Sequence, residues 1–376
     1  MMYGGEVMYS IISVVGARPN FVKMSPIDKE LMRRGFSHKI VHTGQHYDEN
    51  MSKNFFNDLR IPYPDINFEI GSGTHIYQII NIMEKFEFFC QENKPDIVLV
   101  YGDVTSTLAC SIVCNKLRIP LAHIESGLRS FDREMPEEIN RILTDQISDL
   151  LFTTSEYANK NLLNEGIKRD KIFFVGNSMI DSLVENLDFI DKSNILQKLG
   201  VDDYCYDVLT LHRPSNVDDK SKLEMLMKIL SDSNFDKKIV FPIHPRTKKN
   251  IHKFGLSSYL DDSKFILIEP LGYLDFIKLI KNARGVWTDS GGIQEETSFL
   301  GVPCFTIREN TERPVTIEIG TNKLISIDKN QIFYHQQKNK DVSIPRVINK
   351  IPLWDGNAAE RIGDIIIDFL ENINHK

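Results

Sequence analysis

The chain has 376 residues, 41% of them apolar and 26% charged, with a formal net charge of −7. This composition is typical of soluble globular proteins, and the length favours two domains because single hydrophobic cores rarely extend beyond about 250–300 residues. The acidic balance argues against a nucleic-acid partner, and no apolar stretch of the sequence is long enough to cross a membrane.

The N-terminal sequence MMYGGEVMYSIISVVGARP has neither a basic segment nor a cleavage motif, so we expect no signal peptide. The cysteines are odd in number and scattered, which argues against a disulfide framework and favours a cytoplasmic protein. Cys110 and Cys114 lie one helical turn apart, but no histidine or cysteine cluster completes a metal site around them. We therefore expect both residues in the core, and we expect no metal.

Short β-branched runs alternate with helical patterns along the chain. The first runs are SIISVVG, HKIVHTG, DIVLVYG, PLAHIES, LLFTTS and KIFFVG, followed by DVLTLH, KKIVFPIH, FILIEP, GVWTDS and PCFTIR. Between most of them, apolar residues recur every three or four positions, as amphipathic helices require. The alternation predicts an α/β protein with two doubly wound, Rossmann-like domains whose parallel sheets are covered by helices on both faces.

We place the domain boundary within Val175–Leu187, in the segment VGNSMIDSLVENL. Residues 1–176 then form the N-terminal domain, and residues 177–356 form the C-terminal domain. The final helical segment, 357–376, has no partner of its own in the second domain. We expect it to cross back and pack on the first domain.

Charged and polar residues follow many of the predicted strands. In open parallel sheets, ligands bind beyond the carboxyl ends of the strands, so these residues are candidates for a site. They are Arg18 and Lys23, Asp103, Glu125 and Glu137, His212 and Arg213, His244 and Arg246, the turn Ser290-Gly291-Gly292, and Arg313. Because they occur in both predicted domains, they indicate one cleft between the domains.

The segment VWTDSGGIQEE combines a glycine turn with two carboxylates. Gly291 and Gly292 separate a strand from a helix, whose first N–H groups would favour an anion. Glu295 and Glu296 add acceptors close to the same helix start. Taken alone, the turn favours ordinary strand-to-helix geometry, whereas the combination indicates a ligand that needs both donors and acceptors.

Asp103 and Glu125 follow the two most apolar strands of the first half. Carboxylates beside a core are costly unless they are paired or used, so they are candidates for chemistry. Glu137 and Glu138 follow Pro136, where acids also serve as ordinary complements of the helix dipole. From the residues alone, these acids and the nearby cations form either a salt-bridge network or a phosphate clamp beside an acid/base group.

Seven motifs occur in the order seen in the non-hydrolysing UDP-N-acetylglucosamine 2-epimerases, which the chain resembles over nearly its whole length. The motifs are GARPNFVK, GDVTST, HIESGLRSFDREMPEEINR, HRPSNVD, IHPRTKK, TDSGGIQEE and TERP. The resemblance implies two Rossmann-like domains in a GT-B-type arrangement, with the active site in the cleft. It also implies interconversion of UDP-GlcNAc and UDP-ManNAc without nicotinamide or metal. We accordingly expect a UDP-sugar substrate, no cofactor, and a homodimer.

The resemblance also implies roles for individual residues. Asp103, Glu125 and Glu137 match the catalytic carboxylates, and His212 matches the histidine of the HR turn beside the diphosphate. The predicted substrate-binding residues are Arg18, Lys23, Arg213, Leu271, Phe276, Ser290, Gly291, Gly292, Glu296 and Arg313. The implied route is elimination of UDP to a 2-acetamidoglucal, followed by re-addition of UDP.

Within that set, the family's phosphate turn corresponds to Ser290 and the two glycines, while Glu296 corresponds to the acceptor of ribose hydroxyls. Leu271 and Phe276 correspond to positions that frame uracil. Gln45 and His46 resemble part of a regulatory UDP-GlcNAc site that some members have.

The chain departs from the family pattern at a few positions. Ser215 stands where the HR motif commonly continues with glutamate, and Tyr77 and Ile79 flank Gln78 in place of smaller or more polar residues. A modified sugar, such as a 2,3-diacetamido uronate, is therefore an alternative substrate. Three further alternatives are a hydrolysing 2-epimerase, which tends to have an HGGE-like turn in place of HIESGLR, a UDP-sugar glycosyltransferase, and a UDP-sugar sensor. Neither of the last two would need three carboxylates on the first domain.

Overall fold

The computed structural model describes residues 9–44, 56, 58–232, 237–260, 263–338 and 349–374. The chain divides into two compact units, each with its own parallel sheet. The first unit comprises Met1–Glu185 and Pro352–Lys376, and the second comprises Asn186–Ile351. The predicted α/β class with two doubly wound sheets is confirmed.

The first unit is built on a seven-stranded parallel sheet with the order β3-β2-β1-β4-β5-β6-β7. Its strands are β1 (Ser10–Val15), β2 (Ser37–His42), β3 (Ile66–Asn67), β4 (Ile97–Tyr101), β5 (Leu121–Ser126), β6 (Leu150–Thr153) and β7 (Ile172–Phe174). Every residue of the central strands β4 and β5 is buried, as expected for a sheet covered on both faces.

The helices of this unit follow its strands. They are α1 (Arg18–Arg33), α2 (His75–Asn93), α3 (Thr105–Leu117), α4 (Pro136–Ile147), α5 (Glu156–Asn164), α6 (Ser178–Lys192) and the final helix α15 (Ala358–Asn374), with one 3₁₀ turn at Arg169–Lys171. Pro136 begins α4, where a missing N–H and a fixed φ are favourable. Cys110 and Cys114 lie in α3 and are buried, which confirms their predicted place in the core.

The second unit has a six-stranded parallel sheet with the order β10-β9-β8-β11-β12-β13. Its strands are β8 (Tyr206–Thr210), β9 (Lys238–Pro242), β10 (Phe265–Ile268), β11 (Gly285–Thr288), β12 (Cys304–Ile307) and β13 (Asn322–Ile325). The core contains a buried ion pair, because the Arg284 guanidinium donates to both carboxylate oxygens of Asp207, at 2.9 and 2.6 Å. The Trp287 indole donates to the same carboxylate at 3.2 Å, so the pair is held within the apolar core.

The helices of the second unit are mostly short. They are α7 (Ile195–Leu199), α8 (Pro214–Val217), α9 (Lys220–Leu230), α10 (Pro245–Phe254), α11 (Tyr273–Lys281), α12 (Gly291–Leu300), α13 (Pro314–Glu318) and α14 (Lys329–Lys338), with a 3₁₀ turn at Ser257–Tyr259. None of the helices in the described ranges of either unit is long and apolar enough to span a membrane.

The boundary between the units follows Glu185, which lies within the predicted segment Val175–Leu187 but later than the predicted domain end at residue 176. The second unit ends at Ile351 rather than at residue 356. The reason is that the first half of α6 packs on the first unit: the Ser182 hydroxyl donates to the carbonyl oxygen of Val22 at 2.5 Å. The final helix α15 also belongs to the first unit, where Arg34 donates to the Glu360 carbonyl at 3.0 Å.

Asp181 links α6 to the start of α15, since its Oδ2 accepts the N–H of Ala359 at 2.7 Å. Burial raises the pKa of Asp181 to about 6, although the N–H groups of Ala359 and Ala358 favour its ionised form. Because this pKa is raised in the folded state, the group contributes stability that is present below its unfolded pKa near 4 and is lost as pH rises through about 6.

We therefore expect Asp181→Asn to remove part of the pH dependence of folding. Relative to the wild type, the free energy of unfolding of the variant should rise by about 2 kcal/mol between pH 4.5 and 7.5, because a neutral amide accepts the same N–H groups without a charge. Urea unfolding at both pH values measures this difference. Asp368→Asn, an exposed change on α15, is the control. Parallel pH profiles for wild type and Asp181→Asn would contradict the assignment.

Candidate active site

In the first unit, two buried charges meet beyond the sheet. Lys23 on α1 and Glu125 at the end of β5 form an ion pair, and their side chains are only 7% and 5% exposed. Gly102, at the turn after β4, makes room for this pair: a Cβ there would lie 2.9 Å from the Lys23 ammonium. The carboxyl ends of β4 and β5 are thus joined to α1 through one ammonium group.

Glu125 has an unusual backbone. Its φ is +69°, and the pairing register of β5 with β6 shifts between Ile124 and Ser126, as at a β-bulge. A non-glycine residue in the left-handed region costs about 1–3 kcal/mol and persists only where its surroundings fix it. Bulges beside sites re-aim side chains. A buried carboxylate on such a backbone is therefore a strong indication of a functional position.

Asp103 follows Gly102, and two side chains of α4 hold it in place. The Arg141 guanidinium contacts its carboxylate, and the Asn140 side chain donates to its carbonyl at 2.8 Å. Arg141 is buried, whereas the Asp103 side chain is 28% exposed. Asp103 is therefore fixed on one side and accessible to a ligand on the other.

The neighbouring acids Glu137 and Glu138 lie in different environments. Glu138 is buried and accepts the N–H groups of Ser130 and Phe131, at 3.0 and 2.9 Å, and a hydrogen bond from Arg141 at 2.7 Å. Burial alone would raise the pKa of Glu138, but these donors outweigh it and hold the pKa below its ordinary value. Glu137 is exposed. Glu138 therefore fixes the loop before α4, and Glu137 is the one available to a ligand.

Arg18 is the first residue of α1, and its side chain is partly exposed. The turn before it is closed by Asn20, whose Oδ1 accepts the N–H groups of Gly16 and Ala17 at 3.1 and 3.0 Å. The Asn20 amide also donates to the Tyr101 carbonyl at 2.9 Å, which ties the start of α1 to the end of β4.

In the second unit, Asp289 organises the HR turn. Its carboxylate accepts the backbone N–H groups of His212 and Arg213, at 3.1 and 2.9 Å, and lies 2.9 Å from the His212 Nδ1 atom. Burial raises the pKa of Asp289, but the His212 side chain and these N–H groups outweigh it, so the pKa lies below its ordinary value. Sequence reasoning did not identify Asp289 as a site residue, although an acid at the end of a buried strand was a usable signal.

The Ser290-Gly291-Gly292 turn begins α12. Ser290 is its N-cap residue, the Ser290 side chain makes no capping hydrogen bond, and the first turn of the helix contains no acid. Glu295 and Glu296 lie farther along α12 and are buried. The N–H groups of the first turn and these carboxylates therefore occupy different parts of the helix. A Cβ at Gly291 would lie 2.5 Å from the Arg313 Nη1 atom, so glycine lets Arg313 approach the turn.

The buried carboxylate of Glu312 lies within 4 Å of three arginines. It contacts Arg313, accepts a hydrogen bond from Arg308 at 2.8 Å, and lies 3.7 Å from Arg213. Arg313 is also 3.1 Å from Glu295. The sequence prediction did not include Glu312 or Arg308. Their carboxylate and guanidinium groups hold Arg213 and Arg313 beside the glycine turn.

Glu296 is nearly completely buried. Burial and the neighbouring Glu295 raise its pKa to about 8, while the Tyr273 hydroxyl favours the ionised form. Tyr273 begins α11, and the predicted uracil-framing residues Leu271 and Phe276 lie at the same helix start, both half-buried. These positions therefore share one part of the second unit.

The remaining predicted residues are placed as follows. His244 is the N-cap of α10, where its Nδ1 accepts the N–H of Arg246 at 3.2 Å, and its ring lies 5.8 Å from that of His212. His244 is half-buried. Gln45 and His46 lie outside the described residues. Among the residues that the structure describes, no group of histidine, cysteine and carboxylate side chains is arranged to hold a metal ion.

A family model described as UDP-N-acetylglucosamine 2-epimerase matches residues 29–367. A UDP-N-acetylglucosamine 2-epimerase of Methanocaldococcus jannaschii is 45% identical, over 94% of this chain and 97% of its own. A UDP-2,3-diacetamido-2,3-dideoxy-D-glucuronate 2-epimerase of Pseudomonas aeruginosa is 42% identical, over 86% of this chain and 90% of its own.

The crystal structure of an M. jannaschii UDP-GlcNAc 2-epimerase in complex with UDP-GlcNAc and UDP is also similar, with a TM-score of 0.87 and 44% identity. It covers 95% of this chain and 99% of its own. This similarity confirms the GT-B-type fold class that the sequence predicted.

The two adjacent acids of α4 should respond differently to truncation. Glu138→Ala removes a buried partner of Arg141 and the acceptor of two loop N–H groups, so we expect a loss of about 3–5 kcal/mol in the free energy of unfolding. Glu137→Ala, the matched exposed change, should cost less than about 0.5 kcal/mol. Urea unfolding of both variants measures this. Equal losses, or a larger loss for Glu137→Ala, would show that the environments are assigned the wrong way round.

Proposed function

Because the chain belongs to the UDP-N-acetylglucosamine 2-epimerase family, we propose that it interconverts UDP-GlcNAc and UDP-ManNAc at C2 without releasing a free sugar. One observation supports this most strongly: Lys23 and Glu125 form a buried ion pair on a bulged strand end, directly beside the turn that carries Asp103. A buried cation at the carboxyl ends of strands, with the accessible acid Asp103 beside it, suits proton transfer next to a phosphate group.

The second unit supplies a site suited to UDP. The N–H groups at the start of α12 favour a phosphate, and Arg213, Arg313 and His212 add positive or donating groups. Glu312 and Asp289 hold these side chains, so little ordering remains to be done when a ligand binds. We assign the ribose hydroxyls to Glu296 and the uracil to Leu271 and Phe276, whose half-buried side chains lie at the start of α11.

The chemistry follows from the position of the proton. The C2 hydrogen is not next to a carbonyl, so direct deprotonation is implausible. In the proposed route, a base takes the C2 proton as the C1–oxygen bond breaks, which gives 2-acetamidoglucal and UDP. UDP then adds back to C1 while an acid delivers a proton to the opposite face of C2. Arg18, Lys23, His212 and the start of α12 stabilise the negative charge of departing UDP.

Two faces of C2 require two acid/base groups, or one group that moves. Asp103 and Glu137 are accessible, being partly exposed and exposed, whereas Glu125 is buried against Lys23. We therefore assign direct proton transfer to Asp103 and Glu137, and place Glu125 beside the ammonium that holds the phosphate. A closed site would protect the glycal from water.

A second substrate is supported by one comparison. The relative from P. aeruginosa, named for a UDP-2,3-diacetamido uronate, is 42% identical to this chain, against 45% for the UDP-GlcNAc enzyme of M. jannaschii. The UDP-binding part would serve both sugars, because uracil, ribose and diphosphate are common to them. Assays with both nucleotide sugars, side by side, decide between them.

We further propose that the enzyme is a cytoplasmic homodimer whose product feeds polysaccharide biosynthesis. Ile76, Tyr77 and Ile80 are more than half exposed on one face of α2, and they offer an apolar surface for a second copy. The free cysteines of the chain suit a reducing compartment.

The direct test is NMR of UDP-GlcNAc with the protein in deuterated water, without added NAD or metal. We expect UDP-ManNAc to form and deuterium to enter C2 of both sugars, since the proton taken from C2 exchanges with solvent. Release of free ManNAc as the main product would indicate the hydrolysing reaction instead. Absence of C2 exchange with UDP-GlcNAc and with the diacetamido uronate would contradict the proposal.

Amide substitutions of the acids should separate catalysis from binding. Asp103→Asn, Glu125→Gln and Glu137→Gln keep the shape of each side chain, and each should lower the rate of C2 exchange by about two to four orders of magnitude. Asp103→Asn and Glu137→Gln remove an acid/base group, whereas Glu125→Gln removes the charge that positions the Lys23 ammonium. UDP affinity should stay nearly constant. Glu134→Gln, an exposed change in the same loop, is the matched control. If all three variants melt at lower temperatures but exchange the C2 proton at the wild-type rate per folded molecule, the acids only stabilise the fold.

Glu296 should control UDP affinity in a pH-dependent way. Its pKa is raised to about 8 by burial and by Glu295, and ribose hydroxyls donate best to the ionised form. We expect UDP affinity to increase as pH rises from 7 to 9, and Glu296→Gln to remove this increase. At pH 9, where Glu296 is ionised, Glu296→Ala should weaken UDP binding at least about tenfold, because a hydrogen bond to a charged group contributes roughly 1.5–3 kcal/mol. Calorimetry measures both effects, and Glu224→Gln, a change on α9 outside the predicted site, is the control. Unchanged affinity in Glu296→Ala would reject the role.

A further inference from the structure

One fully buried histidine touches the turns that carry both Asp103 and Glu125. His123 lies in β5, two residues before Glu125, and its side chain is 0% exposed. The His123 Nε2 atom is 2.7 Å from the carbonyl oxygen of Gly102, the residue before Asp103. On the other side of the ring, Nδ1 is 2.7 Å from Oδ1 of Asp145 on α4.

Each of these two contacts requires a proton on the ring nitrogen that makes it. A backbone carbonyl can only accept, so Nε2 must carry hydrogen. Asp145 is held as an acceptor as well, because its Oδ2 accepts the Gly127 N–H at 3.1 Å and lies 2.7 Å from Arg129 Nη2. The Gly127 N–H and the Arg129 guanidinium both favour the ionised form of the Asp145 carboxylate. An ionised carboxylate only accepts, so Nδ1 carries hydrogen too.

His123 and Asp145 also fix the backbone next to Asp103 and Glu125. The Gly102 carbonyl precedes Asp103, and the Gly127 N–H follows Glu125. Gly102, Glu125 and Gly127 all have positive φ, at 63°, 69° and 77°. Glycine adopts such a φ freely, but at Glu125 this backbone persists only where the surroundings determine it. The network of His123 and Asp145 provides that constraint from beneath, without contact to solvent.

We infer that His123 is a positioning residue, a buried imidazolium that holds the Gly102–Asp103 turn and the Glu125 bulge at a fixed separation. This inference rests on the proposed function, in which those acids act at C2. Sequence reasoning missed His123 because it reads as one polar residue within the apolar run PLAHIES.

The protonation state has a direct spectroscopic test. In protein labelled with ¹⁵N at histidine, both His123 ring nitrogens should carry hydrogen at neutral pH, with each N–H coupling resolved and protected from exchange with solvent. A ring nitrogen of His123 without hydrogen would overturn the inference. The readout uses the wild-type protein and does not depend on activity, so it stands or fails separately from the proposed reaction.

A second test separates positioning from stability. Asp145→Asn replaces one carboxylate oxygen by an NH2 group, which can only donate. In one orientation this group faces the Gly127 N–H and Arg129, and in the other it faces the N–H of His123, so two donors meet in either case. We expect kcat for C2 exchange to fall about 10- to 100-fold per folded molecule, with UDP affinity and KM within about twofold of wild type, since small misplacements of reacting groups are costly.

The matched control is His38→Gln. His38 is also a buried histidine on the same sheet, with a carboxylate, Asp28, at 2.7 Å and the Ser13 hydroxyl at 2.8 Å, but it contacts neither catalytic turn. The His38→Gln change should lower the melting temperature and leave kcat per folded molecule unchanged. Wild-type kcat in Asp145→Asn, or equal kcat losses in both variants, would overturn the positioning role. A wild-type protein that exchanges no C2 proton would instead overturn the proposed function.

Discussion

The ion pair between Lys23 and Glu125 is the contact on which the candidate site of the first unit depends. Two opposite charges that are nearly removed from water must compensate each other, and removing one partner of such a pair costs about 3–5 kcal/mol. The pair therefore requires that α1 lies against the ends of β4 and β5, that Gly102 has no side chain, and that Glu125 keeps its left-handed backbone. The position of Asp103 follows from the same turn.

The second unit uses buried carboxylates in the same way. Asp289 holds the HR turn through backbone N–H groups, and Glu312 holds Arg213 and Arg313 beside the glycine turn. In each case an acid that no ligand needs to touch orients donors that a nucleoside diphosphate could use. This arrangement holds the cations through contacts within the protein, and it accounts for many of the charged residues that follow apolar strands.

The sequence predicted the strands with two buried faces, because short continuous apolar runs such as DIVLVYG, rich in β-branched residues, are typical of parallel strands covered by helices. It did not predict β3 or β13, which lie at sheet edges, where exposed positions such as Lys323 interrupt the apolar pattern. The motifs led us to predict roles for Asp103 and Ser290 but none for His123 or Glu312, although both lie within the motifs HIESGLRSFDREMPEEINR and TERP. Their partners are set by tertiary packing: Asp145 is 22 residues from His123, and a single polar letter in a strand does not reveal which turn it supports.

The most direct test of this account is a double-mutant cycle on Lys23 and Glu125, read out as the rate of C2 deuterium exchange in UDP-GlcNAc. If the two charges act as one unit, Lys23→Met and Glu125→Gln should each slow exchange strongly. The double variant should then be little slower than the slower single variant, so that the coupling energy approaches the smaller of the two single losses. Losses that simply add would contradict the account, because they would show that the ammonium and the carboxylate contribute independently.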